Sequence, residues 1–137
     1  MTLVDSNVLL DLVTDDPDWS GWSLSRLEEA ALVGPVVIND IVYAELSIRY
    51  ERIEDLDAML DEAMIEIVPT SRPALFLAGK AFRQYRAAGG PRTGVLPDFF
   101  IGAHAAVEGW SLLTRDVARY RSYFPKVTLI APPATPA

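Results

Sequence analysis

The sequence predicts an α/β protein with a mainly parallel, doubly wound five-stranded sheet and helices on both faces. Three observations predict it. Short β-prone apolar runs alternate with longer helical patterns along the chain, and that alternation builds βαβ units whose parallel strands are covered by helices. The 137 residues suffice for one domain with a real core. Half of them are hydrophobic, yet no apolar run reaches the roughly 18 residues of a membrane span.

The elements follow in order. Thr2-Leu3-Val4 reads as the first strand. A helix runs from Asn7 to Val13, with Asp5 or Ser6 placed to cap it. A second helix, Ser20 to Val33, stops at Gly34. Val36 to Ile38 is the next strand, and Asn39 or Asp40 caps a helix to about Tyr50. Ile53 to Ala63 places Leu56, Met59, Leu60 and Ala63 on one helical face. Ile65 to Val68 is a third strand. Ser71 caps a long helix to about Ala88, and Pro73 is tolerated in its first turn. Gly89 to Gly94 is a loop without the spacing of a phosphate-binding P-loop. Pro97 opens a helix to about Glu108, Ser111 to Leu113 is a fourth strand, Val117 to Tyr123 a short helix, and Val127 to Ile130 a fifth strand. One domain thus spans residues 1–131, and 132–137 form a short proline-containing tail.

Composition removes several classes of function. The chain has no cysteine and a single histidine, which excludes disulfides, thiolate metal sites and multi-histidine zinc sites. No basic segment precedes a long apolar stretch at the N-terminus, so neither a signal peptide nor a membrane anchor is expected, and a cytoplasmic location is. The net charge of −7 is unevenly placed. Residues 1–70 carry 16 acids and 3 bases, whereas residues 71–137 carry 3 acids and 9 bases. The difference reads either as solvated helices that happen to differ or as a basic half that attracts a polyanion.

Four acids stand out. Asp5 follows the first strand, and Asp116 follows the fourth after Thr114 and Arg115, so both fall at the carboxyl end of the sheet, where such folds bind ligands. Asp98 lies in the first turn of its helix, on a face shared with Ile101, Gly102 and Ala105. Glu45 shares a face with Ile41, Ala44 and Ile48, which points it along an apolar stripe. Singly, the three aspartates read as helix caps and Glu45 as a partner of Arg49. Jointly, capping does not explain acids at two strand ends plus an acid on an apolar stripe. A shared divalent cation does, because clustered carboxylates repel unless neutralised, and oxygen-only ligation suits Mg²⁺ or Mn²⁺.

The segments Val4-Asp5-Ser6-Asn7-Val8-Leu9, Ala44-Glu45, Leu96-Pro97-Asp98 with Ile101-Gly102-Ala103, Leu113-Thr114-Arg115-Asp116 and Arg119 to Pro125 resemble a PIN domain, and more closely a VapC-type toxin of a bacterial toxin–antitoxin pair. Many relatives carry a further acid shortly after the fourth, around Arg119 or Arg121, where this chain is basic. The resemblance implies a ribonuclease whose carboxylates Asp5, Glu45, Asp98 and Asp116 anchor Mg²⁺ or Mn²⁺, with Thr114 as a hydroxyl near metal or phosphate. It also implies a cognate antitoxin and a homodimer. The alternative is a PIN-fold RNA- or protein-binding module without activity. A phosphatase of the haloacid dehalogenase type would need a second Asp two positions after Asp5, where Asn7 stands.

Other polar residues read plainly. Ser6 and Asn7 either orient Asp5 or cap the first helix, with capping preferred. Thr114 reads equally as a turn residue, Arg115 as a surface residue and His104 as a packing or surface histidine. Trp19 and Trp22 fit a core or partner contact, and Arg83, Arg86 and Arg92 a solvated face able to meet RNA phosphates.

Overall fold

Strands of two to four residues cannot stand alone, so each is stabilised by its neighbours and by the helices laid over it. β1 (Thr2–Val4) is buried along its whole length and pairs in parallel with β2 (Val36–Asn39) on one side and β4 (Ser111–Leu113) on the other. β3 (Glu66–Val68) and β5 (Leu129–Ile130) close the edges, giving the parallel order β3-β2-β1-β4-β5. In this computed structural model residues 1–91 and 96–133 are described. Thr93 and Gly94 of the predicted loop, the basic candidate Arg92 and the end of the predicted tail, 134–137, lie outside them.

The helices are α1 (Ser6–Val13), α2 (Ser20–Val33), α3 (Asp40–Ser47), α4 (Ile53–Glu62), α5 (Arg72–Ala87), α6 (Leu96–Glu108) and α7 (Ala118–Tyr123). Leu3, Val4, Val37, Ile38, Leu112 and Leu113 are fully buried between helices, as a parallel sheet covered on both faces requires. Burying such side chains supplies about 1.5–3 kcal/mol each.

Two predicted caps form as expected. The Asn39 side chain accepts from the Val42 amide and that of Ser71 from the Ala74 amide. Others do not. α3 ends at Ser47 instead of Tyr50, and its core face carries Val42 and Leu46. Ile48, placed on the apolar stripe from sequence, is 84% exposed. The helix has two apolar faces, and periodicity chose the wrong one. Glu45 therefore sits half-buried at the boundary of the core face.

The strand order reverses between β1 and β4, since the chain winds outward from β1 to β3 and then returns to β4. In doubly wound sheets the crevice at that switch point, outside the strands' carboxyl ends, is where ligands bind. Asp5 and Thr114 are the residues that follow these two strands. The Asp5 amide donates to Leu113 O at 2.9 Å and the Thr114 amide to Ile130 O at 3.0 Å, so the backbone under both side chains is held by the sheet.

Candidate active site

Asp5 anchors the crevice. It occupies the N-cap position of α1, yet its side chain makes no capping bond. Instead its Oδ2 accepts from Thr114 Oγ1 at 2.8 Å, from Tyr120 Oη at 2.9 Å and more loosely from Asn7 Nδ2 at 3.4 Å. Among the described residues, Oδ1 meets only Ser6 Oγ, at 3.5 Å. The same serine hydroxyl lies 3.0 Å from Glu45 Oε1, so Ser6 sits between two carboxylates contributed by α1 and α3. Burial raises the Asp5 pKa above the ordinary carboxylate range. The bonds from Thr114 and Tyr120 oppose that rise, and the charge of Asp116 adds to it.

Asp98 lies in the first turn of α6. Its Oδ2 lies 2.5 Å from Arg119 Nη1 of α7. Its pKa is pushed up to about 6, first by burial and then by the charge of Asp5, with Arg119 pulling the other way and Asp116 adding a smaller push. Glu45 is raised too, by burial first, opposed by its bond from Ser6 and reinforced by the charges of Asp5 and Asp98. Asp116 is exposed, and its amide donates to Thr114 Oγ1 at 3.0 Å. The four acids chosen from sequence thus share one electrostatic neighbourhood. As they stand, no three His, Asp or Glu side chains among the described residues are gathered to hold a metal ion. Asp5 is turned to its hydroxyl donors and Asp98 to Arg119. The donor set is all oxygen, which fits a hard cation such as Mg²⁺ or Mn²⁺ in kind.

Several side chains differ from their sequence reading. Ser6 and Asn7 orient the site instead of capping α1: Asn7 Nδ2 also reaches Thr114 Oγ1 at 3.4 Å, and its Oδ1 accepts from the Arg115 amide at 3.3 Å. Glu45 forms no ion pair with Arg49. Thr114 is more than a turn residue, being fully buried and bonded to Asp5. Arg115 is not a free surface residue. It grips buried Asp11 with Nη2–Oδ1 at 2.8 Å and Nε–Oδ2 at 2.7 Å. Its guanidinium lies 4.8 Å from the Trp19 ring centroid, an attractive cation–π placement. Ser23 Oγ completes the Asp11 shell at 2.7 Å. This cluster ties the loop after β4 to α1 and α2, and so fixes the backbone that carries Thr114 and Asp116. Trp19 stacks edge-on with Trp22, a role inside the chain.

His104 is a packing residue, 1% exposed, with Nδ1 at 3.2 Å from Asn39 Nδ2 and its ring against Trp110. Asn39 Oδ1 is already used as the cap of α3, so its amide donates and His104 Nδ1 accepts. Burial lowers the His104 pKa, consistent with a neutral ring.

Tyr120 and Arg119 are functional candidates that sequence reasoning missed. Gly102 makes room for Tyr120. A Cβ there would lie within 3.0 Å of Tyr120 Cδ1 and closer still to the buried Phe124 ring.

The family model of the PIN domain matches residues 2–123. A sequence search of curated proteins finds no match. Among solved structures, VapBC2 from Rickettsia felis, bound to a DNA fragment from its promoter, has a chain similar to this one. Identity is 22% and the TM-score 0.73, covering 95% of this chain and 97% of that one. DNA-bound VapBC from Salmonella typhimurium is 16% identical with a TM-score of 0.70, covering 95% and 96%. FitAcB from Neisseria gonorrhoeae is 18% identical with a TM-score of 0.68, covering 94% and 96%. At these identities the likeness is one of fold.

Proposed function

The chain belongs to the PIN domain family, and on that premise we propose that it is a divalent-metal-dependent endoribonuclease, the toxin of a toxin–antitoxin pair. The observation that carries the reading is the electrostatic coupling of Asp5, Glu45, Asp98 and Asp116 at the switch point of the sheet. Protein interiors avoid such clusters of like charge unless a cation or a function requires them. These four residues would hold the ion, which supplies an activated water and neutralises charge on a scissile phosphate.

The chain's own residues prepare that site. Thr114 and Tyr120 fix Asp5 through Oδ2 and leave Oδ1 with one long contact. Burial keeps Tyr120 protonated, since its pKa is raised well above 10, with the charge of Asp5 adding to the effect. It is therefore a donor at working pH. Exposed bases of the second half of the chain, Arg83, Arg121 and Lys126, supply the positive surface a polyanion needs.

The partner reading has its own support. α1, α2 and α4 frame a mainly apolar groove of about 420 Å³, lined by Leu9, Leu12, Val13, Leu27, Met59 and Ala63 with Tyr50 and Glu62. An antitoxin helix with an apolar face fits such a groove. Two of the similar solved structures named above are of VapBC, from Rickettsia felis and Salmonella typhimurium. A homodimer and a cytoplasmic location belong to the same reading. Among the described residues no helix is long and apolar enough to cross a membrane.

The second reading, a binding module without activity, draws on one observation: Arg119 occupies Asp98. Hydrolysis of single-stranded RNA and of a DNA control, with Mg²⁺, with Mn²⁺ and with chelator, decides between them. The nuclease reading requires metal-dependent RNA cleavage that Asp5→Asn abolishes. RNA binding without cleavage in any metal favours the module.

A further inference from the structure

Among the described residues, one base contacts one of the four acids. Arg119 Nη1 is 2.5 Å from Asp98 Oδ2, and the two side chains are 25% and 23% exposed. The guanidinium carbon also lies 5.7 Å from the Tyr85 ring centroid, so α5, α6 and α7 all meet at this group. The other base of α7, Arg121, is unlike it. Arg121 is exposed, and no ion pair holds it among the described residues.

A guanidinium is charged at every accessible pH and offers no lone pair. It cannot share an oxygen lone pair with a metal ion or titrate out of its way. It must move. While it remains, Asp98 Oδ2 is engaged, and a full positive charge beside it repels a divalent cation drawn to that carboxylate. In the cation's absence the same charge offsets part of the repulsion among four crowded acids.

We propose that Arg119 is a built-in competitor of the divalent cation for Asp98 and sets how tightly the site takes its metal. The inference rests on the metal-dependent reading above. It makes loading an exchange of one cation for another instead of the filling of an open site. A site of this kind discharges its metal more readily than four free carboxylates would, and its occupancy follows the metal concentration around it.

Calorimetric titration with Mn²⁺ tests this on the full chain and on the variants Arg119→Gln, Arg119→Lys, Arg121→Gln and Asp5→Asn. Arg119→Gln should bind Mn²⁺ at least about ten-fold tighter than the parent, the scale of one charge-assisted hydrogen bond no longer to be broken. Arg119→Lys keeps the charge and should stay close to the parent. Arg121→Gln controls for net charge and should also stay close. Denaturation in chelator shows whether each variant is folded, and Arg119→Gln should be the less stable protein there but the one that gains more from Mn²⁺. If Arg119 only braces α7 against α6, Arg119→Gln loses stability and binds Mn²⁺ no tighter than the parent, which overturns the proposal alone. If Asp5→Asn binds as tightly as the parent, or no protein binds, the metal-dependent reading falls and this one with it.

Discussion

The hydroxyl of Tyr120 donates to Asp5 Oδ2 at 2.9 Å from a ring that is 1% exposed. It joins the six-residue helix α7 to the end of the central strand. It also gives a buried carboxylate a second strong donor beside Thr114. Tyr120→Phe keeps the ring and removes the donor. Leaving a buried charged acceptor short of one bond costs about 1–3 kcal/mol, so denaturation should show a loss of that size. RNA cleavage should fall through kcat more than KM, because Asp5 loses its orientation and not its charge. Unchanged stability and unchanged cleavage would remove Tyr120 from the site.

The acids at the crevice make a test of stability against pH. The Asp98 carboxyl titrates near 6 in the folded chain against 3.8 for the free group. The folded state therefore holds a proton that the unfolded state has lost, and stability falls as pH rises from about 4 to 6. Asp98→Asn has no such group. In chelator it should match the parent near pH 4 and exceed it by ~1–2 kcal/mol at pH 7, allowing for the partial exposure of the site. His104 acts in the opposite sense, since burial lowers its pKa and stability is lost as pH drops below 6.5. That contribution is common to both proteins and cancels. A difference independent of pH would mean that Asp98 carries no penalty.

Metal addition separates the site from ordinary helix capping. If Asp98 merely capped α6, Asp98→Asn would be neutral, Asp98→Ala would cost roughly 1 kcal/mol, and Mg²⁺ would act equally on all three proteins. If the acids share a cation, the parent gains by mass action, about 2.7 kcal/mol at a hundred times the dissociation constant. Both variants then gain much less. Chemical denaturation with chelator and with excess Mg²⁺ reads the difference directly.

Away from the site, Asn39 and His104 form a fully buried pair between β2 and α6. Asn39→Asp keeps the cap on α3, removes the donor to His104 and buries a charge. It should lower stability by more than ~2 kcal/mol, measured by urea denaturation at pH 7, and leave metal affinity unchanged. A milder loss would mean that the His104 contact contributes little.

Much of this was legible in the sequence where a residue's place followed from an element's end. Asp5 and Thr114 are next to strands, and any register of those strands delivers them to the same edge of the sheet. Asp98 was legible because α6 carries a small-residue face, Gly102 and Ala105, that can only be packed. Glu45 was chosen for the wrong reason, since α3 carries apolar residues on two faces and only the packing against α1 and α6 selects Val42 and Leu46. Tyr120 and Arg119 were not legible. α7 has six residues, too few for periodicity to give its rotation. Their partners Asp5 and Asp98 lie 115 and 21 residues away, a relationship only the folded chain creates.

Gly102 has no side chain with which to bind, ionise or donate. Still, a methyl group there would push against Phe124 and Tyr120 together, displacing the phenol from Asp5 without touching it. A survey of substitutions scored by RNA cleavage alone would rank Gly102→Ala beside the carboxylates and invite a chemical explanation for a steric fact. Scored by fold and by cleavage at once, it would fall in a separate class, of positions whose contribution is the space they leave empty.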